Sequence, residues 1–398
     1  MSELYTKAGS KGKVEIDCVL RTPCTNNCQF CFQKEIGIDS INDEMTSEQI
    51  HEMANDTLEF FKTDKIQNAK EIKFKIMGGE LFEIPFNDPR WEDYRYFFKT
   101  CINNAKQTNI KIQFHIVTNL LYPFEKIDYY FTFFKELNEL MPGCISSLGT
   151  SFDIWGRFHT IERLNLWKKH FEYVLKKCQD LNMQFCIEMV LSKKSAEILK
   201  NTPSEYQPYL ETFNYLYQLS KDKIIDFDLI RYLGIREDKP LLLKDRDFAD
   251  IYKWLLIHYP EFNTVKAFAI HEEPGCKGGM DGWSPITGKL TKNCCTLFPV
   301  AGSLNQDRTL PAEEALKKYL IGISTIEEAY DFNKIYRKHM NIKNCYMCKH
   351  FKYCKMDCMS YWVLRSSHTN PESSYCWMRD VYDFVDKEGL YASKIASK

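Results

Sequence analysis

The chain has 398 residues, of which 44% are hydrophobic and 27% charged; this is the balance of an ordinary globular protein, with length enough for more than one domain. A formal net charge of −1 gives no general attraction to nucleic acid or to an anionic membrane. No apolar run follows Met1 and no window of eighteen apolar residues occurs, so neither a secretion signal nor a transmembrane helix is expected and the expected location is cytoplasmic.

In chain order, residues 1–12 are polar and expected to fray. Val14 to Leu20 alternates as a strand does, and the loop RTPCTNNCQFCFQ (Arg21 to Gln33) follows it. Thr46-x-x-Gln49 reads as a capping box, after which Ile50, Met53, Leu58 and Phe61 keep helical spacing. Glu71 to Met77 alternates again, and a helix from Trp91 to Asn104 leads to a third strand, Lys111 to Thr118. A helix with Ile127, Tyr130, Phe131, Phe134 and Leu137 on one face precedes a fourth strand, Cys144 to Asp153. Leu164 to Cys178 is helical, Met183 to Leu191 is a fifth strand, and Ile224 to Leu233 a sixth, with a helix near Tyr206 to Leu219 between them. Strands alternating with helices predict parallel βαβ units, in a partial (β/α)6 barrel or a doubly wound open sheet alike. Both arrangements gather chemistry at the C-terminal ends of the strands.

Sixteen cysteines without a secretion signal point to metal ligation over disulfides. Cys24, Cys28 and Cys31 form a C-x3-C-x2-C loop directly after the first strand. Three thiolates this close can hold one metal centre, and a [4Fe–4S] cube with three protein ligands leaves one iron open to a small molecule. Phe30 would sit beside that molecule; a zinc knuckle is the plainer alternative. After the second strand come Gly78, Gly79 and Glu80, two residues that let backbone approach a ligand and an acid that accepts from an ammonium. Alone, this tripeptide would also serve as a tight turn. Ser151 and Asp153 end the fourth strand, where helix capping is the alternative role, and Asn119 ends the third, where capping and binding stay open.

A second cysteine group lies near the C-terminus: Cys345-x2-Cys348-x5-Cys354-x3-Cys358, then Cys376, with Cys276, Gly288, Cys294 and Cys295 upstream. Paired structural zinc sites would use similar spacings. The basic, aromatic stretch from Arg337 to Lys355 would suit nucleic acid, but the rest of the chain is not basic, and the preferred role of these cations is to offset an anionic thiolate centre. Cys18, Cys101, Cys144, Cys178 and Cys186 lie within strand and helix patterns and are expected as buried thiols. His115 and His170 are expected to be structural.

The triad, followed one βα unit later by Gly78-Gly79-Glu80, resembles the signature of radical SAM enzymes, and the C-terminal run resembles their SPASM extension; together they cover nearly the whole chain. The resemblance implies an α/β fold with a partial (β/α)6 barrel over 13–235, a bridging region over 236–270, and a small cysteine-rich α+β domain with a C-terminal helix over 271–398. It implies S-adenosyl-L-methionine and three [4Fe–4S] clusters as cofactors. Cys24, Cys28 and Cys31 would hold the catalytic cluster. Phe30, Gly78, Gly79, Glu80, Ser151, Asp153 and Leu191, with Ser192 beside it, would contact S-adenosylmethionine. Cys345, Cys348, Cys354 and Cys376 would hold an outer auxiliary cluster, and Cys276, Cys358 and one or both of Cys294 and Cys295 an inner one. The family spacing of four residues between glycine and cysteine is departed from here: five separate Gly288 from Cys294 and six separate it from Cys295.

The implied function is that of a radical SAM oxidoreductase that matures a peptide or protein. A 5′-deoxyadenosyl radical would abstract a hydrogen atom, giving a crosslink, thioether, oxidation or epimerisation. An external electron donor such as flavodoxin or ferredoxin is implied, and neither membrane nor nucleic acid is expected as a partner. A radical SAM dehydrogenase or epimerase of a small molecule is the second reading, and a non-catalytic zinc or Fe–S binding protein the third. With 17 residues ahead of Cys18, no fused N-terminal leader-binding domain is expected. Sulfatase-maturing relatives carry an Asp directly after an inner-cluster cysteine as a base. Here Cys295 follows Cys294 and Thr296 follows Cys295, so sulfatase-type aldehyde formation is not expected.

Overall fold

A computed structural model describes residues 13–18, 20–21, 23–31, 45–62, 70–231, 241–270, 283–286, 289–292, 341–351, 354 and 374–391. Cys276, Gly288, Cys294, Cys295 and Cys358 lie outside the described residues. The chain divides into two compact units, one of Met1–Ser151, Phe158–Cys186 and Lys277–Ser303, the other of Phe152–Arg157, Ile187–Cys276 and Leu304–Lys398.

The first unit runs β1 (Lys13–Cys18), α1 (Ser47–Lys62), β2 (Glu71–Ile76), α2 (Arg90–Gln107), β3 (Lys111–Val117), α3 (Phe124–Leu140), β4 (Ile145–Phe152) and α4 (Ile161–Asp180). These are the expected elements, with ends that differ from the sequence reading by a few residues. Strands β1 to β4 are parallel neighbours, with Lys13 opposite Glu71 and Glu71 opposite Lys111. Between β3 and β4 the register slips at Phe114/His115, so that His115 faces Ser147.

Alternation in β2 and β3 puts Ile72, Phe74, Ile76, Ile112, Phe114 and Ile116 at buried positions. Phe74 meets Phe61 of α1 and Phe97 of α2 at centroid distances of 6.4 and 6.0 Å, and Phe98 of α2 packs on Phe114 at 4.7 Å. Each such ring buried contributes about 1.5–3 kcal/mol. On the alternate positions, His115 Nδ1 lies 2.7 Å from Ser147 Oγ. The α1 capping box forms as expected: the Thr46 N–H donates to Gln49 Oε1 at 2.9 Å, and the Gln49 N–H to Thr46 Oγ1 at 3.2 Å. His170 has the structural role expected of it, with Nδ1 2.7 Å from the Leu120 carbonyl. Cys18, Cys101, Cys144 and Cys178 are buried, and Cys186 is half-buried.

β5 (Gln184–Leu191) begins in the first unit and ends in the second. The second unit continues with α5 (Lys193–Asn201), α6 (Gln207–Lys221), β6 (Asp226–Arg231), α7 (Asp245–His258) and α8 (Asn263–Ile270). Phe213 of α6, Phe227 of β6 and Phe262 form one aromatic cluster, with centroids 5.1 to 5.7 Å apart.

Back in the first unit, β7 (Trp283–Ile286) and β8 (Lys289–Lys292) make an antiparallel hairpin. β7 adds to the outer edge of β1 in parallel, Ile16 opposite Trp283, so the strand order of this unit is β4-β3-β2-β1-β7-β8. Sequence alternation does not mark this strand, and Pro285 inside WSPI has no N–H to give to the ladder.

The second unit ends with α9 (Trp377–Glu388). Its Trp377 ring lies 5.7, 5.3 and 5.8 Å from Phe248, Tyr252 and Phe268, which fixes the helix that follows Cys376 against α7 and α8. Among the described residues no helix is long and apolar enough to cross a membrane.

Candidate active site

The cysteine loop is shaped by its asparagines. Asn27 takes a left-handed φ of 49°, a conformation asparagine tolerates better than most residues, and the Cys31 N–H closes a turn on the Cys28 carbonyl at 3.2 Å. Cys24, Cys28 and Cys31 are all half-buried, and Phe30 between them is buried. Asn26, 1% exposed, donates through Nδ2 to Cys28 Sγ at 3.2 Å, and its backbone N–H favours the Cys24 thiolate. Its Oδ1 accepts from Nη2 of Arg163 at 2.8 Å, and Thr160 caps the helix turn that carries Arg163, at 3.3 Å from its N–H.

The turn after β2 meets this loop. Gly78 and Gly79 have φ of 81° and 45°, a left-handed pair that side chains resist. The Glu80 N–H beyond them donates to the Pro23 carbonyl at 2.9 Å. Glu80 itself is fully buried. Its carboxylate accepts from the Phe82 N–H at 3.2 Å, from Thr118 Oγ1 at 3.1 Å and from the Asn119 N–H. Burial pushes this carboxyl up to about 7, against the opposing hydrogen bonds of Tyr122, Asn119 and Phe82.

Glu83 holds the loop directly. Each of its oxygens lies 3.0 Å from the Thr25 N–H, Oε1 also takes the Thr25 hydroxyl at 2.7 Å, and Asn119 Nδ2 donates to it at 3.2 Å. Asn119 Nδ2 is also 3.9 Å from Cys24 Sγ, and Oδ1 accepts from the Leu121 N–H at 2.8 Å. Asn119 therefore both shapes its own turn and faces the cysteine loop. Burial, with Glu80 and Glu83 nearby, pushes the Cys24 thiol up to about 12. A bare Cys24 thus keeps its proton, and taking up a metal centre releases it. Three soft donors, two of whose sulfurs receive N–H groups, suit an iron–sulfur cluster.

The remaining expected contacts fall at later strand ends. Ser151 is half-buried and Leu191 is fully buried. Asp153 is fully buried; Oδ1 accepts from the Trp155 and Gly156 N–H groups at 2.9 and 3.3 Å, while Oδ2 has no hydrogen-bond partner among the described residues. Burial pushes its carboxyl up to about 7, opposed by those N–H groups and by Arg157. An unsatisfied buried carboxylate oxygen is costly and calls for a donor. Ser192 caps α5, taking the Ser195 N–H at 3.1 Å, and receives Trp155 Nε1 at 3.1 Å.

In the second unit, Cys345, Cys348, Cys354 and Cys376 line one pocket together with Lys343, His350, Phe351, Arg379 and Tyr382. A 3-10 turn brings the Cys348 N–H onto the Cys345 carbonyl at 3.0 Å, and the Cys354 N–H reaches the His350 carbonyl at 2.8 Å. Burial and the facing Cys376 and Cys348 push the Cys345 thiol up to about 11; Arg379 and Lys343 act the other way. Four cysteines lining one pocket with Lys343 and Arg379 again suit a cluster. His350, Asp383 and Asp386 bring potential ligand atoms within 4.8 Å of one another. Lys349 Nζ already bridges the two carboxylates at 2.9 and 3.1 Å, which makes this an ion-pair network.

Sequence reading picked out the cysteines, the glycines, Glu80 and Asp153. It missed Thr25, Asn26, Glu83, Thr118 and Arg163, which act through hydrogen bonds to partners up to 137 positions away. The one signal available for Glu83 was an acid three residues after Glu80, in a segment too short to show a period.

The fold is similar to that of anSMEcpe in several solved structures. A solved structure of anSMEcpe carrying a histidine tag, "with bound AdoMet", superposes with a TM-score of 0.57 at 15% identity, covering 95% of this chain and 98% of that one. "Native anSMEcpe with bound AdoMet and Kp18Cys peptide" gives 0.57 at 14% identity, with 97% and 99% covered. "Native anSMEcpe with bound AdoMet and Cp18Cys peptide" gives 0.55 at 15%, again with 97% and 99% covered. At these identities the likeness concerns the fold. No protein-family model and no curated protein matches the chain in sequence.

Proposed function

We propose that this chain is a radical SAM enzyme of the SPASM type that modifies a peptide or protein. The observation that carries the reading is the convergence of the two halves of the signature: Glu80 bonds to Pro23, Glu83 holds Thr25, and Asn119 faces both Glu83 and Cys24. The fold likeness to anSMEcpe, seen with AdoMet and with Cys-containing peptides, supports the substrate class.

In this reading Cys24, Cys28 and Cys31 would hold a [4Fe–4S] cluster, which together with S-adenosylmethionine would supply the radical chemistry that removes a hydrogen atom from substrate. The residues of the chain prepare that event. Glu80, desolvated beside the loop, would take the methionyl ammonium in a charge-assisted hydrogen bond. The left-handed Gly78 and Gly79 admit the cofactor close to backbone. Asp153, whose Oδ2 is open to a hydroxyl donor, and Ser151, Leu191 and Phe30 are the further residues proposed to contact S-adenosylmethionine. Cys345, Cys348, Cys354 and Cys376 hold an outer auxiliary cluster; Cys276, Cys358 and one or both of Cys294 and Cys295 hold an inner one. The barrel would span 13–235, the bridge 236–270 and the extension 271–398. An external flavodoxin or ferredoxin would supply electrons in the cytoplasm.

The deciding experiment incubates anaerobically reconstituted protein with S-adenosylmethionine, reductant and candidate peptides in deuterated water. Formation of 5′-deoxyadenosine together with a peptide mass change supports the reading. Loss of two hydrogens means oxidation or crosslinking, and gain of one deuterium means epimerisation. Stoichiometric zinc with little iron would overturn it.

A further inference from the structure

We propose that Asn26 raises the reduction potential of the centre held by Cys24, Cys28 and Cys31, and that Arg163 is a positioning residue that acts through it. The inference rests on reading those cysteines as cluster ligands. Two N–H groups of Asn26 face ligand sulfurs: the side-chain amide lies 3.2 Å from Cys28 Sγ, and the backbone amide addresses Cys24. Donors to cluster sulfurs stabilise the more negatively charged, reduced state and so move the potential upward.

The orientation of the amide is determined by its other partner. A guanidinium has donors only, so the contact of Arg163 Nη2 at 2.8 Å must fall on Oδ1. That leaves Nδ2, and no lone pair, toward the sulfur. The cation on Oδ1 also polarises the amide and makes Nδ2 a stronger donor. Because Asn26 is 1% exposed, water does not compete for its amide in the intact loop. The effect has a counterweight on the same loop. Glu80 and Glu83 meet the loop at Pro23 and Thr25, on either side of Cys24, and carboxylates there oppose added negative charge. Asn26 with Arg163 opposes them, so the loop holds both directions of control.

The test reads one quantity, the midpoint potential of the reduced-cluster EPR signal that a Cys24→Ala/Cys28→Ala/Cys31→Ala protein lacks, in the reconstituted full chain. Asn26→Ala should keep the wild-type iron content and move this midpoint to more negative values. Asn26→Asp, which loses the donor and keeps an acceptor for Arg163, should move it in the same direction. Arg163→Gln should shift it less, and adding Arg163→Gln to Asn26→Ala should give no further shift, because the two act in series. An unchanged midpoint in iron-loaded Asn26→Ala overturns the inference alone. So do additive shifts in the double variant, or loss of iron in both Asn26→Ala and Asn26→Asp, which would make Asn26 a builder of the loop. A wild-type chain that takes up no iron at the triad overturns the proposed function and this inference together.

Discussion

Glu83 reaches back 58 positions to take both the backbone N–H and the hydroxyl of Thr25, the residue directly after Cys24. A charged acceptor with several donors on one loop is a clamp. Glu83→Ala should lower the free energy of unfolding by about 1–2 kcal/mol, the site being partly solvent-exposed. Thr25→Ala should cost less, and the double variant should fall short of the sum. Urea denaturation of the four proteins provides the cycle; strictly additive losses would show that the contact carries no coupling.

Glu80 should make stability pH-dependent in a direction opposite to that of a salt-bridged acid. Burial holds its carboxyl near 7, above the ordinary 4.5, so the folded chain binds this proton more tightly than the unfolded one. Its contribution is fully present below about 4.5, declines as pH rises toward about 7, and is flat above. The size is on the order of 3 kcal/mol. Asp153, held near 7 by burial, acts in the same sense. Glu80→Gln should flatten the stability profile between these limits in part, and Asp153→Asn should flatten it further. A wild-type slope retained in both variants would contradict the assignment.

On the proposed reading of three clusters, replacing Cys24, Cys28 and Cys31 by alanine should abolish formation of 5′-deoxyadenosine and lower reconstituted iron from about twelve to about eight per chain. Substituting Cys376 should instead lower the iron and leave the signal of the triad in place. Detectable 5′-deoxyadenosine from the triple variant would remove these residues from the chemistry.

Gly149 should not accept a side chain. A Cβ there would stand 2.7 Å from His115 Nε2 and 2.8 Å from Cε1. Gly149→Ala should therefore cost about 1–3 kcal/mol, and His115→Ala in the same chain should recover part of it. A thermal melt of the single and double variants decides the point, and equal melting of wild type and Gly149→Ala would mean that the ring moves aside freely.

The wild-type chain should not convert a sulfatase-type Cys or Ser peptide to an aldehyde, since Cys295 and Thr296 stand where a base would follow a cysteine. Mass spectrometry of such a peptide after turnover checks this; loss of two hydrogens from the Ser peptide, or loss of two hydrogens with exchange of sulfur for water oxygen in the Cys peptide, together with carbonyl trapping, would overturn it.

Much of the parallel sheet was legible because alternation in EIKFKI and KIQFHIV is unambiguous and turns bound each strand. The cysteines and Gly78-Gly79-Glu80 stood out as candidates because they follow successive strands and together resemble a known signature; alone, their spacing also fits a zinc knuckle and a tight turn. Helix α5 was not: its capping box pairs Ser192 with Ser195, where the usual cue is Glu or Gln. Strand β7 is four residues long and contains Pro285. Arg163 had no local signal, since on a helix face it reads as one more solvated cation. What sequence reading misses here is the set of polar side chains whose partners are distant in the chain.

The place of β7 beside β1 has a consequence for synthesis. The outer edge of β1 waits for its partner until Trp283 has left the ribosome, roughly 10 to 50 s later at 5–20 residues per second. Throughout that interval the nascent chain presents unpaired backbone groups on the strand that leads into its cysteine loop, a template for pairing with a neighbouring chain. Expression at lower temperature or with added chaperone should therefore raise the yield of full-length protein, and a ribosome-stalled chain ending before Trp283 should aggregate more readily than one ending after Lys292.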